Sequence, residues 1–539
     1  MTLLASRSLR WALLPASALL LYSAEGPGDE ARSGQITGIV SSTSGGPAAG
    51  VFVTARAPGA NVAYSVVTDQ AGRYTLPQMS DGSYRVEAHG VGYQSSELNA
   101  TIREGETSLQ FALALVTDPF AQYPSSAFLS LLPDGEEKRL FKLDCTGCHQ
   151  FNRTTAFDGD QPKSRETWIE RTQQMLGFAG ASTGFPVIDP HREAQATADW
   201  LLANLPGFEE GLARYPAITP SPAAGRAVFT EWDIPVPQDL PHDLMVDPDG
   251  AVMITGMMTQ QMYLLDPSSG AFTNIPIPVQ YAGPRALDRA ANGDWWVLLG
   301  NPRKLARYST ANGQWQDWDI GMYPHSIQIA PDGKVWFNGH FTKDPPILGS
   351  LDPATGELET FEVPENGLDP DDGGPIPYGL RVAADGTVWS TELHGNRLIK
   401  YVPSTGEFGT YVMPTIRSGP RRPDVAPDGM IWIPEYSGNK LAKFDPRTEE
   451  FTEYDFPIDD ALPYVVRVDR GRGTVWIGTA AADAMVSFDP AAERFTVHPL
   501  PTRVALIRHI DIDHASGTVW AAYGDSPAVN PRILRLEVR

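Results

Sequence analysis

Ala330-Pro331-Asp332-Gly333-Lys334-Val335-Trp336-Phe337 decides the fold. A Pro-Asp-Gly turn hands the chain to a short strand with Trp at its second position. The arrangement returns as Ala384-Asp385-Gly386-Thr387-Val388-Trp389-Ser390 and as Ala426-Pro427-Asp428-Gly429-Met430-Ile431-Trp432-Ile433. Glycine supplies the positive φ of a tight reversal, and Trp suits a half-buried pleated surface. Turns of this kind end at Gly250, Gly293, Gly333, Gly386, Gly429, Gly473 and Gly517. The following strand carries Trp296, Trp336, Trp389, Trp432, Trp476 and Trp520, with Met253 in the first unit. A third strand closes with Asp-Pro-x-x-Gly and a fourth ends in Pro. Successive gaps of about 40–53 residues predict four-stranded propeller blades, seven in all, over residues 227–539. The Trp residues read as blade packing.

The last unit, ending Arg532-Ile533-Leu534-Arg535-Leu536, lacks an outer strand. Ala227–Ile234 matches outer strands such as Phe451–Phe456. It is expected to pair there and close the ring, which removes the exposed edges. Hairpin geometry places inner-strand starts and second-strand ends at one mouth of the channel. The starts carry His242, Arg285, His325, Tyr378, Arg421, Tyr464 and His509. The ends carry His340, Glu392, His394 and Glu435. Such a polar funnel can bind a divalent cation or a polar ligand. The plainer reading has Glu392 and Glu435 paired with Arg421, Arg422 or Arg381, and His340 and His394 solvated. Glu365–Gly374 is an acidic insertion; its Asp369-Pro370-Asp371-Asp372 lacks EF-hand spacing.

Upstream, residues 120–215 turn helical, with patterns over Glu136–Cys145, Arg165–Leu176 and His191–Leu205. Pro216–Ala224 reads as a linker. Cys145-Thr146-Gly147-Cys148-His149 is Cys-x-x-Cys-His, the attachment signature of c-type haem. Two thioethers fix the porphyrin edge and the histidine supplies one axial nitrogen. The alternative is a redox dithiol. For the second axial position the sequence offers Met175, the methionine of the helical segment, or His191, or an open site. Met175 also suits plain core packing.

Residues 35–115 alternate as short strands: Gln35–Val40, Gly50–Ala57, Ala63–Thr68, Gly72–Pro77, Gly82–Gly90 and Leu109–Leu115. That spacing suggests a small antiparallel sandwich. Residues 1–24 carry Arg7 and Arg10, an apolar stretch from Trp11 to Leu21 broken by Pro15, then Ser23 and Ala24. They read as a secretory signal peptide, the alternative being an uncleaved anchor. No cysteine near the cleavage zone offers a lipid anchor. Periplasmic or secreted localisation follows, with no membrane insertion after cleavage.

The 539-residue chain carries 42 Lys+Arg against 65 Asp+Glu, a net charge of −23 that argues against nucleic acid as a partner. Hydrophobic content of 42% supports several packed cores. Cys145 and Cys148 are the only cysteines, which excludes a disulfide framework and any metal site built from four thiolates. No Walker loop, Rossmann fingerprint or Gly-x-Ser-x-Gly elbow stands out.

The segment 35–115 resembles the carboxypeptidase regulatory-like family through GQITGIV (34–40), TDQAGRYTLPQM (68–79) and DGSYRVEAHGVGY (81–93). The resemblance implies a transthyretin-like sandwich without catalytic residues. Residues 120–215 resemble small class I-type cytochrome c domains, in which a downstream methionine completes haem ligation. The propeller resembles the virginiamycin B (streptogramin) lyase family through Pro324-His325, the 330–337 stretch, Asp385–Glu392 and Pro427–Glu435. That family implies seven blades and a lyase that opens a cyclic depsipeptide by elimination, using a histidine base and a divalent metal. Its catalytic blade carries Pro-His at the first strand and Trp-Phe-x-Glu at the second. Here the Pro-His blades, at His242 and His325, end in Gly256 and Gly339. The Glu blades, at Glu392 and Glu435, begin with Tyr378 and Arg421. No blade has both.

The fold expected is mainly β and multidomain: sandwich, small α-helical cytochrome c domain, seven-bladed propeller. The function expected is electron transfer by an exported haem c protein that meets a redox partner protein. Cys145, Cys148, His149 and Met175 hold the haem and iron. The propeller binds or oxidises a small-molecule or polymer ligand at its mouth, where His325, Glu392, His394 and Glu435 are the catalytic candidates. The alternatives are a metal-dependent lyase with a divalent cation at Glu392, His394 and Glu435, and a non-enzymatic binding scaffold.

Overall fold

The computed structural model describes residues 33–180, 188–189, 191–207, 211–212, 215, 221, 224–339, 347–365, 376–525 and 529–539. Residues 1–24, His340, most of the acidic insertion and most of the linker lie outside these.

Among the described residues, six four-stranded antiparallel sheets begin at Pro241, Pro284, Pro324, Pro377, Asp424 and Pro463, and a seventh blade, part of a larger sheet, begins at Ile507. Each runs from an inner strand at the channel to an outer strand at the rim. The seventh takes its outer strand from Ala227–Asp233, which pairs antiparallel with Val529–Val538 from Ala227↔Val538 to Asp233↔Arg532. Two distant parts of the chain thus close the ring. Trp232 and Trp520 stack across that closure with centroids 5.4 Å apart, and Arg535 lies over both rings.

The core sits between blades. One cluster joins Trp336, Leu348 and Val363 of the third blade to Leu380, Val388, Ile399 and Tyr401 of the fourth. Each Trp strand therefore fills the wedge beside its neighbour, where a large flat ring buries the most area per residue.

In most blades the inner strand opens with Pro opposite the end of the second strand: Pro241↔Gly256, Pro284↔Leu299, Pro324↔Gly339, Pro377↔Glu392 and Pro463↔Thr479. Proline lacks a ladder donor and is tolerated at a strand's first residue. The register slips just after it in each case. These bulges fall at His242, Arg285, His325, Tyr378 and Tyr464, and a bulge re-aims side chains.

The N-terminal strands form two sheets. Ser33–Ser42 pairs with Arg73–Thr75 and Met79–Ser80, and in parallel with Gly105–Leu113. Val62–Val67, Phe52–Arg56, Gly82–His89 and Ser96–Ile102 make the other. Ile36, Val40, Val53, Val86, Phe111 and Leu113 fill the space between. Ser96–Ile102 is a strand absent from the sequence-based expectation; its run Glu97-Leu98-Asn99 is exposed, so no alternation marks it. The second sheet does not end at the sandwich. Val62–Val67 pairs antiparallel with Ala227–Asp233, so sandwich and seventh blade share one eight-stranded sheet.

Between them, the described residues form helices α1 (Ser125–Leu129), α2 (Glu136–Cys145), α3 (Arg153–Ala156), α4 (Arg165–Ala179) and α5 (Ala194–Asn204). Sequence periodicity marks α2, α4 and α5; α1 and α3 are too short to show a period. α5 starts later than expected, with His191 exposed ahead of it. Phe141 packs on Phe151 and Trp200 at 5.3 and 5.4 Å, and Phe151 on Trp168 at 6.2 Å. Among the described residues no helix is long and apolar enough to cross a membrane.

Candidate functional site

The helical segment sits on the mouth where the inner strands start. α2 ends at Cys145, and Thr146 Oγ1 donates back to the Lys142 carbonyl at 2.6 Å. The chain then turns through Gly147 to Cys148, His149 and Gln150. Arg508 donates to the Cys148 carbonyl at 2.7 Å. The Gln150 amide donates to Asp525 at 3.1 Å, and its side chain to the Ala480 carbonyl at 2.8 Å. Tyr436 donates to the Thr146 carbonyl at 2.8 Å. Lys142 and Lys138 converge on Asp460 at 2.9 and 2.6 Å, all three buried. The partners come from the last three blades. No local pattern announces them, since each lies hundreds of residues from its contact.

Under the Cys-x-x-Cys-His turn, Arg421 is fully buried in a cage of tyrosines. Its guanidinium carbon lies 3.8 Å from the Tyr436 ring centroid, 4.4 Å from Tyr464 and 4.9 Å from Tyr378. It donates to the Tyr378 hydroxyl at 2.6 Å. A cation over several aromatic faces is stabilised by their quadrupoles, which here stand in for a carboxylate. One Arg421 nitrogen would lie 3.2 Å from a Cβ placed on Gly147, so the motif's glycine allows this approach. Cys148 lies within electrostatic reach of Arg421, Tyr323 and Tyr436.

The two cysteines are not joined in a disulfide; Cys148 is exposed and Cys145 is half-buried against the hydrophobic core that includes Phe141, Phe151 and Trp168. His149 Nδ1 lies 3.4 Å from the Gln150 carbonyl oxygen. A backbone acceptor on Nδ1 leaves Nε2 for a metal. These residues fit a c-type haem: two thiols, one imidazole nitrogen and an apolar wall. Met175 is half-buried on α4, whereas His191 is exposed.

The remaining predicted residues do not converge. His325 is buried, its Nδ1 3.0 Å from the Tyr378 carbonyl and its ring 5.7 Å from His242. Burial, reinforced by the Arg422 charge, holds His325 and His242 neutral. Glu392 forms a buried bidentate pair with Arg397, a residue of its own blade and not the Arg421, Arg422 or Arg381 expected. Burial raises the Glu392 pKa and Arg397 opposes the shift. His394 is buried in the turn joining the second and third strands of that blade, not solvated. Burial and the charge of Glu453 push Glu435 well above the ordinary carboxyl range. Among the described residues no group of three His, Cys, Asp or Glu is placed to hold a metal ion. Glu392, His394 and Glu435 therefore do not form the cation site that their positions in sequence suggested.

Asp243 takes Arg422 on both oxygens at 2.8 and 2.9 Å, and His242 Nδ1 at 2.7 Å.

Comparison places these parts among known proteins. Residues 324–522 match the virginiamycin B lyase family, and residues 35–115 match the carboxypeptidase regulatory-like domain. The propeller is a lyase-type propeller in fold. Virginiamycin B lyase from Staphylococcus aureus is 21% identical, with a TM-score of 0.51 over 58% of this chain and 100% of its own. A streptogramin B lyase is 23% identical, with a TM-score of 0.52 over 59% of this chain and 100% of its own. A catalytically inactive variant of the S. aureus enzyme, solved with quinupristin, has a TM-score of 0.52 at 21% identity over 58% of this chain and 100% of its own. No curated protein matches the chain. Residues 120–215 lie outside both family matches.

Proposed function

We propose that this chain is an exported c-type haem protein that transfers single electrons, with its haem-bearing turn seated on a propeller mouth. The observation that carries the reading is the placement of Cys145–His149. The signature turn that carries both cysteines and His149 is clamped by Arg508, Tyr436 and Asp525. Cys145 and Cys148 would hold the haem through thioethers, and His149 and Met175 would bind its iron. The bound haem supplies a one-electron iron couple, and a Met/His pair raises its potential. The Gln150 carbonyl orients His149. Arg421 holds a positive charge beside Cys148, which favours an added electron there. A redox partner protein would meet the exposed side of the helical segment, because the other side is covered by the propeller.

The test is a reduced-minus-oxidised visible spectrum of protein made with cytochrome maturation machinery. A haem c spectrum, lost in Cys145→Ser/Cys148→Ser, is expected. Both sulfurs unmodified by mass spectrometry in correctly matured protein would overturn the reading.

The match of residues 324–522 to the lyase family favours a second reading, a lyase-type propeller that opens a cyclic substrate. Its weakness is at the residues: Glu392 is engaged by Arg397, and the Pro-His blades end in Gly256 and Gly339. Elemental analysis distinguishes the two. A divalent metal other than iron, bound stoichiometrically and lost in Glu392→Ala, would select the lyase reading.

A further inference from the structure

At the channel end away from the helical segment, the inner strands enclose a cavity of about 210 Å³. That is below the roughly 300 Å³ at which drug-sized sites begin, so it suits a small ion or metabolite.

Acids line it, but their oxygens are used. Asp511 accepts the Val246 amide at 2.8 Å, Asp288 the Ile329 amide at 2.6 Å, and Asp424 the Val468 amide at 2.9 Å. Each such bond stitches one blade to another, and Gln328 does the same for Val382 at 2.9 Å. Asp243 is occupied by Arg422.

The cations are not balanced in the same way. Arg467 is buried, 9% exposed, and among the described residues no carboxylate pairs with it. Its guanidinium donates to the Val466 carbonyl at 2.8 Å and to His509 Nε2 at 2.5 Å. An imidazole that accepts at Nε2 carries its proton on Nδ1. That Nδ1 is buried without a partner, as is Arg422 Nε, and both residues line the cavity. Arg470 stands half-exposed at the rim. A buried cation and two orphaned donors are costly unless an acceptor arrives from outside the chain.

We propose that this cavity binds a small oxyanion, a carboxylate or an inorganic oxyanion such as phosphate, on Arg467, Arg422 and His509. A guanidinium fork matches two oxygens of either class, and the His509 N–H and Arg422 Nε–H supply further donors. Burial and the neighbouring charge of Arg381 lower the Arg467 pKa to about 9, against the pull of Asp424 and Asp511. The site stands apart from the haem reading, because it lies on the opposite face of the ring.

The test is calorimetric titration of the full chain with inorganic phosphate, succinate and, as a control, chloride. Saturable binding of phosphate or succinate is expected, and the stronger of the two identifies the source class. Arg467→Gln should weaken it by about tenfold or more, as for a lost charged hydrogen bond, and Arg467→Lys by less. Arg470→Gln at the rim tests the same site if Arg467→Gln does not fold, and should weaken binding severalfold. No saturable binding of either oxyanion, or affinity unchanged in Arg467→Gln and Arg470→Gln, would overturn the proposal.

Discussion

Arg422 of the fifth blade reaches across the channel to Asp243 of the first, its Nη1 2.8 and 2.9 Å from the two carboxylate oxygens. Both side chains are buried. The pair ties together two residues 179 positions apart in the chain.

Removing one partner strands the other in low dielectric. Asp243→Asn should cost about 3–5 kcal/mol, measured by denaturant unfolding. Adding Arg422→Met should recover most of it. A single-mutant loss under about 1 kcal/mol would show that the pair is bypassed by water.

Glu435 gives a pH signature. Its folded pKa is raised by burial and by Glu453, above an unfolded value of about 4.3. The folded state therefore keeps a proton that the unfolded state releases above that value. Its stabilising share is full below about pH 4 and is lost as pH rises toward the folded pKa. Glu435→Gln should remove up to about 1.4 kcal/mol per pH unit of falling stability in that window. Thermal unfolding from about pH 4 to about pH 8 measures the slope, and parallel wild-type and mutant curves would contradict it.

Tyr436→Phe deletes the hydroxyl that bridges to Thr146, with little change in shape. A loss of about 0.5–1.5 kcal/mol at the docking surface is expected. Hydrogen exchange should quicken over residues 142–150 and stay unchanged in the sixth blade. If both regions respond alike, helices and propeller open as one unit.

In haem-loaded protein, Arg421→Gln should lower the reduction potential by something on the order of tens of millivolts, since a positive charge beside Cys148 is removed. Potentiometric titration reads this. A potential unmoved or raised would remove Arg421 from the haem's surroundings.

Deleting residues 33–115 uncovers Ala227–Asp233 as a free strand edge, because Val62–Val67 pairs along it. Exposed edges recruit other strands. The truncated chain should self-associate in light scattering, and a stable monomer would show that the edge is protected otherwise.

The repeat of Asp-Gly turn and Trp strand is enough to number the blades, and the unpaired last unit foretells the closing strand at Ala227. Both are local patterns with a period, and period is written in the chain. The Cys-x-x-Cys-His motif is equally legible, because it lies within five consecutive residues. Glu392 misleads for the opposite reason. Its position at a strand end is readable, but its partner depends on which long side chain reaches it after packing, and Arg397 of the same blade arrives first.

The amino-acid order by itself determined most of the strands, the three longer helices and where the thiols and His149 stand, since these follow from turn chemistry, periodicity and spacing. Only the tertiary structure decided that the Cys-x-x-Cys-His turn covers the propeller mouth, that the sandwich extends the seventh blade, and that Arg467 is buried without a counter-charge. Those facts come from contacts between residues far apart in sequence, where burial and charge are set by what the fold brings alongside.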